Sequence, residues 1–317
     1  MAERDAELTR LQRRRDRRDR VRRRRVGLGA VVCLLLVGVG LMVAVDSSTP
    51  QGGRHRNAFA SSGNRAIAHQ VGRSSRRRPL GREQVPILMY HVINSPPRGA
   101  RFPGLYVTPR QFSAQMHAVA GAGFTGVTLD QVEANWKHGT PLPPGRPIVI
   151  SFDNGYRTQF TRAFPVLRKL GWRADENLQL EGLPPSQGGL TRREIRVLVS
   201  AGWELDTQGF THADLIRISP QRLRYEVRTA RAAVRRLYHT PADWFCYPSG
   251  HYDATVIAAV KAAGYVGSTT VVAGWADPRD DPYTLPRFRV LAGTTPGGLL
   301  AQLADGRHSP DPPSSSG

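Results

Sequence analysis

Short apolar runs alternate with longer segments whose apolar residues recur every three or four positions. VPILMYHVI (85–93), FTGVTL, PIVISF (147–152), ENLQL, WELDT, WFCY and YVGSTTVV have the length and composition of buried strands. Between them lie helical patterns. One follows Phe112, Met116, Val119 and Ala120, another covers 159–170, and LTRREIRVLVSAG makes a third. A long one has Leu223, Val227, Ala230, Val234 and Leu237 on one face with charges opposite, and ATVIAAVKAAG closes the series. Regular strand–helix alternation predicts βα units on a parallel sheet. Seven or eight units on one core favour a closed (β/α) barrel over an open sheet.

The flanks differ sharply from this rhythm. Residues 1–25 carry twelve Arg against five acids, part of a net charge of +20 over 317 residues. Residues 26–45, VGLGAVVCLLLVGVGLMVAV, contain no charge. At about 1.5 Å rise per residue they reach roughly 30 Å, one bilayer core. The sequence thus predicts a basic cytoplasmic leader (1–25), a transmembrane anchor (26–46), a disordered basic tether (47–80), a folded domain (81–305) and a disordered tail (306–317). The run exceeds a signal-peptide core and MVAVDSS offers no clean small-x-small cleavage site, so the anchor is expected to stay uncleaved. The positive-inside bias puts the leader in the cytoplasm and the folded domain outside the cell membrane, in a single-pass arrangement. The tether has seven Arg and no acid, a composition suited to anionic lipid or wall polymer. No aromatics interleave those arginines in a base-stacking pattern, which argues against a nucleic-acid partner. The two cysteines, Cys33 in the span and Cys246 in an apolar run, cannot pair within the chain.

Candidate chemistry collects at the ends of the predicted strands. His91 follows ILMY, Asp153 and Asn154 follow VISF, Asp206 to His212 follow WEL, and Ser249 and His251 follow FCYP. In a (β/α) barrel, reacting groups sit where strands give way to loops. Asp153 and Asp206 also admit a metal-free acid pair, although no spacing specifically supports it.

In order, VPILMYHVI, SFDNGY, WELDTQGFTHADL, FCYPSGHYDATVIAAVKAAGY and LPRFRV resemble the polysaccharide deacetylase domain (NodB homology, carbohydrate esterase family 4) over about residues 84–300. The resemblance implies an α/β fold, a distorted (β/α) barrel, here preceded by one N-terminal transmembrane helix. It implies hydrolysis of N-acetyl groups from a cell-wall amino-sugar polysaccharide, assisted by a divalent metal, usually zinc. Carried over residue by residue, Asp153 becomes the general base, Arg287 the residue that orients it, and His212 a metal ligand. The other two ligand positions hold Asn154 and Gln208, amides where the family has carboxylate and imidazole. Amides are poorer zinc ligands, so several kcal/mol should go from the roughly 10–16 that structural zinc sites supply. His91 and His251 stand near enough in the pattern to rebuild a site with Asp153 and His212. Tyr156, Ser249 and Trp275 are the candidate substrate contacts, Trp275 as a stacking surface in WADPRDDPY, and the backbone beside Ser249 an oxyanion donor. The Arg of the family's third motif is replaced by Cys246, and its late Leu-x-His has no counterpart in LLAQLAD. Two functions remain open, a membrane-anchored deacetylase and an inactive glycan-binding barrel that has lost its metal.

Overall fold

The computed structural model describes residues 79–306. The leader, the apolar run 26–46, the tether to residue 78 and the tail from residue 307 lie outside the described residues. Among the described residues, no helix is long and apolar enough to cross a membrane.

Strand β3 (Arg146–Asn154) is the axis of the sheet. β1 (Val85–Tyr90) pairs with it in parallel, Ile87 opposite Val149 through Tyr90 opposite Phe152. β2 (Phe124–Val127) pairs with its first half and β4 (Asp175–Leu178) with its second. β5 (Glu204–Thr207), β6 (Trp244–Cys246) and β7 (Gly267–Thr269) continue in parallel, and β8 (Trp275–Ala276) runs antiparallel to the start of β1. All six residues of β1 are buried, as a strand covered on both faces requires. Gly126 in β2 is obligatory for packing, because a Cβ there would meet Trp172 at 2.8 Å.

The result is an α/β half-barrel, as a distorted (β/α) barrel would be, rather than the closed ring of seven or eight units that the strand–helix rhythm favours. Its open side is spanned by one extended segment: Leu285 bridges to Thr269 of β7, and β9 (Phe288–Arg289) pairs with β1. The strands on that side are two or three residues long, too short to form further full βα units.

Helices α1 (Pro109–Gly121), α2 (Leu129–His138), α3 (Phe164–Lys169), α4 (Arg192–Ser200), α5 (Pro220–Tyr238), α6 (Ala254–Ala262) and α7 (Pro296–Gly306) accompany the sheet. α1, α2 and α4 begin with reciprocal capping boxes, Thr108 with Gln111, Thr128 with Gln131 and Thr191 with Glu194. α5 starts at Ser219, whose hydroxyl accepts from Arg222 N, and stops where His239 turns left-handed. Between those caps it buries Leu223, Val227, Ala230 and Val234 on one stripe, as the periodicity predicts. Each fully buried Leu or Val contributes about 1.5–3 kcal/mol by leaving water. The helical pattern at 159–170 splits into a five-residue π turn (Gln159–Ala163) and α3.

Candidate active site

The C-terminal ends of β1, β3, β5 and β6 meet at one mouth. Asp153 is the penultimate residue of β3 and is 1% exposed. Arg287, equally buried, reaches across the interior and holds it in a two-pronged pair, Nη1 to Oδ1 at 2.8 Å and Nη2 to Oδ2 at 3.0 Å. Asn177 Nδ2 donates to Oδ1 at 2.9 Å, and Cys246 Sγ lies 3.5 Å from Oδ2. Arg287 is itself fixed by Thr270 O and Ser151 Oγ. Burial pushes the Asp153 carboxyl up. The Arg287 and His91 charges and the bonds from Arg287 and Asn177 outweigh it, and the result is about 2. Asp153 is therefore a permanent anion with both oxygens engaged, and a poor proton acceptor.

Two imidazoles stand around that anion. His91 Nε2 is 3.9 Å from Asp153 Oδ2, and His91 Nδ1 is buried with no hydrogen-bond partner. Burial lowers its pKa to about 4, with the Asp153 charge working the other way and Arg287, Arg289 and His212 adding to the fall. His212, half-buried, is lowered by burial and raised in turn by Asp153. Both rings are neutral at neutral pH, and both are electrostatically tied to Asp153.

The loop that carries His212 is pinned from below. Glu226 on α5, fully buried, accepts from Phe210 N at 2.9 Å, Thr211 N at 2.8 Å and Thr211 Oγ1 at 2.6 Å. Gln159 in the π turn donates to the carbonyls of His91 and Asp153, both at 2.8 Å. Asn177, Glu226 and Gln159 carry no strand-end signal in the sequence. Glu226 lies on the apolar side of an otherwise charged helix, the one local hint of its role. Among the described residues, five non-glycine residues have positive φ, and three of them are Asn154, His212 and Ser249. Left-handed backbone at non-glycine residues costs of order 1–3 kcal/mol and concentrates at functional sites.

The amide positions do not form a metal site. Asn154 Nδ2 donates to Gln208 Oε1 at 2.9 Å, both side chains being buried, so the two amides satisfy each other. Of the three family ligand positions only His212 offers a strong donor. The rebuilt set of His91, Asp153 and His212 fares no better, because Asp153 has its oxygens filled by Arg287, Asn177 and Cys246. Among the described residues, the three-carboxylate group able to hold a metal is Asp175, Glu204 and Asp206, elsewhere in the interior.

The remaining candidates separate. Ser249, exposed, sits in the Pro248–Gly250 turn at the mouth, next to the His212 loop, where a Cβ added at Gly209 would lie 3.6 Å from Pro248. Tyr156 is half-buried and bridges to Gly189. His251 is exposed and pairs with Asp214 at 3.1 Å instead of Asp153. Trp275 is not a rim residue: it is buried, tilted against Phe124, and its Nε1 donates to Leu303 O of α7. An indole whose N–H finds a backbone carbonyl across the core is stable there, which overrides the acidic segment around it. Asp206 is separated from Asp153 by Asn177 in the strand register, so the two form no acid pair. His117, His138 and His239 are exposed, away from the mouth.

Residues 142–268 match the polysaccharide deacetylase family model. A Bacillus subtilis (strain 168) protein, YxkH, provisionally named as a polysaccharide deacetylase, is 25% identical over 220 residues, 69% of this chain and 76% of its own. The solved structure of BC0361, a polysaccharide deacetylase from Bacillus cereus, is similar with a TM-score of 0.62 and 26% identity, covering 70% of this chain and 69% of that one. Streptococcus pyogenes deacetylase PplD in complex with acetate shares the fold, with a TM-score of 0.64 and 24% identity over 70% of this chain and 99% of that one. A 52-residue stretch is 36% identical to the poly-β-1,6-N-acetyl-D-glucosamine N-deacetylase of Escherichia coli (strain K12), 16% of this chain and 8% of that enzyme. Residues 142–268 thus carry a polysaccharide deacetylase domain, and the relatives and solved structures similar to the chain over about 70% of its length are named as deacetylases, hydrolases that act on N-acetyl amide bonds.

Proposed function

We propose that the chain removes acetyl groups from an N-acetylated cell-wall polysaccharide outside the cell membrane, to which residues 26–46 anchor it. The observation that carries this reading is the buried Asp153–Arg287 pair flanked by two neutral imidazoles at the half-barrel mouth. In the proposed reaction, water adds to the acetamide carbonyl carbon as a ring nitrogen of His212 or His91 takes its proton. The Asp153 anion steadies the imidazolium that forms, as in hydrolytic triads. That proton then passes to the sugar nitrogen as the carbon–nitrogen bond breaks, releasing acetate and a free amine. The turn around Ser249 is proposed to face the oxyanion. Metal assistance, the family's usual chemistry with zinc, would call for other residues than Asn154 and Gln208.

That same amide pair favours a second reading, a glycan-binding barrel without turnover. Incubating the full chain with N-acetylglucosamine oligomers, with and without zinc, and measuring both acetate release and oligomer binding decides between them. Acetate supports hydrolysis. Binding without acetate leaves the second reading, and the absence of both acetate and binding overturns the two together.

A further inference from the structure

One layer beneath the Asp153 pair, the interior face of the sheet turns acidic. Asp175 of β4 lies opposite Glu204 of β5, and Asn177 opposite Asp206, so strand alternation puts Asp175, Glu204 and Asp206 on one face. Each carboxylate is fixed through one oxygen by a backbone N–H. Asp175 Oδ2 accepts from Leu129 N at 3.2 Å, Glu204 Oε2 from Asp130 N at 2.8 Å, and Asp206 Oδ1 from Trp244 N at 3.0 Å. Leu129 and Asp130 open α2, where the helix dipole favours anions. The other oxygens, Asp175 Oδ1, Glu204 Oε1 and Asp206 Oδ2, are buried and receive no hydrogen bond from any donor outside the group; Glu204 and Asp206 lie close enough to share a proton between them, and Asp175 Oδ1 has no partner. One ligand oxygen from each of the three lies within 4.8 Å of the others.

Orphaned buried carboxylate oxygens are costly unless a proton or a cation meets them. Arg287, the cation whose charge acts on Asp175, has both Nη groups on Asp153. Among the described residues no ion pair reaches any of the three. A cavity of about 170 Å³, lined by Thr128, Asp130, Trp203, Glu204, Thr240 and Pro241, opens beside Glu204. At about 30 Å³ per water it has room for several.

We infer that Asp175, Glu204 and Asp206 form a binding site for a hard divalent cation, entered through this cavity and separate from the mouth where the chemistry is proposed. Oxygens up to 4.8 Å apart match opposite corners of a shell with metal–oxygen distances of about 2.4 Å. An all-carboxylate donor set selects magnesium, manganese or calcium over zinc or copper, and waters in the cavity complete the shell. The cation ties the starts of β4 and β5 to the first turn of α2. The site does not depend on the deacetylase reading, and its test uses no acetate assay.

The full chain, stripped with EDTA, is titrated calorimetrically at pH 7.5 with manganese, magnesium and calcium chloride in turn, and melted with and without each ion. Expected is one equivalent of at least one ion, a rise in melting temperature, and at least a tenfold loss of affinity in Asp206→Asn and Glu204→Gln. Binding in His212→Ala should equal wild type. Manganese electron paramagnetic resonance on the unmodified chain gives a readout that needs no variant. No binding at millimolar ion overturns the proposal, as does binding lost in His212→Ala but kept in Asp206→Asn. An equal gain in melting temperature for Asp206→Asn with EDTA and with cation also overturns it, because the carboxylates would then share protons alone.

Discussion

Replacing Arg287 by methionine is the sharpest probe of the Asp153 pair. The substitution keeps a flexible apolar side chain of comparable length but removes five hydrogen bonds, two of them to Asp153 and the others to Thr270 O, Ser151 Oγ and Cys246 Sγ. Asp153 remains at 1% exposure with Asn177 and Cys246 as its donors. Removing one partner of a buried ion pair costs about 3–5 kcal/mol, because the other charge stays buried. For a domain spanning residues 79–306, at about 2–4 °C per kcal/mol, the melting temperature should fall by roughly 6–20 °C. Adding Asp153→Asn to Arg287→Met removes the stranded charge and should recover about 2 kcal/mol, so the two changes are strongly non-additive. Urea unfolding of the two single variants, the double variant and wild type completes the cycle. A loss below about 1 kcal/mol for Arg287→Met, or strict additivity, would refute the reasoning.

Three further outcomes follow from the same geometry. Glu226→Gln weakens the acceptor that holds Phe210 N and Thr211 N, so it should cost about 1–3 kcal/mol of stability and lower acetate release more than oligomer affinity; steady-state kinetics separate the two. His91 is held neutral, with a folded pKa of about 4 below its ordinary 6.5, so the stability it contributes is complete above pH 6.5 and lost as pH falls towards 4. That limb is worth roughly 3 kcal/mol, and it should vanish in a pH series of melting curves on His91→Gln. Asp153 adds a second loss between about pH 3.8 and 2, its folded value being depressed. Restoring carboxylate and imidazole with Asn154→Asp and Gln208→His should raise zinc affinity at least tenfold by calorimetry; unchanged affinity would show that these positions do not converge on an ion.

The strand–helix rhythm made most of the half-barrel legible, because long buried runs such as VPILMY and PIVISF admit few other structures. The closure did not emerge from it: Leu285–Arg289 joins two strands far apart in sequence through one bridge and a two-residue pairing, too short to leave a periodic trace. Helix α2 had a readable start in its Thr128–Gln131 capping box, but its apolar stripe is thin, Leu129 and Val132 being its buried residues. In the site, Asp153, Asn154, Gln208 and His212 were visible as polar residues ending apolar runs. Asn177, Gln159 and Glu226 were not, since each acts through a hydrogen bond to a distant segment. Trp275 misled for the same reason: its partner, Leu303 O, lies on α7. Asp175, Glu204 and Asp206 are spread over two strands, and only the register Asp175–Glu204 brings them together.

The most direct test of the central claim is acetate release from N-acetylglucosamine oligomers by the full chain and by its Asp153→Asn variant. Wild type is expected to release acetate, and the rate to fall at least a hundredfold in the variant while oligomer affinity is kept. Oligomer binding by wild type with no acetate released, or equal rates for the two proteins, would contradict the claim.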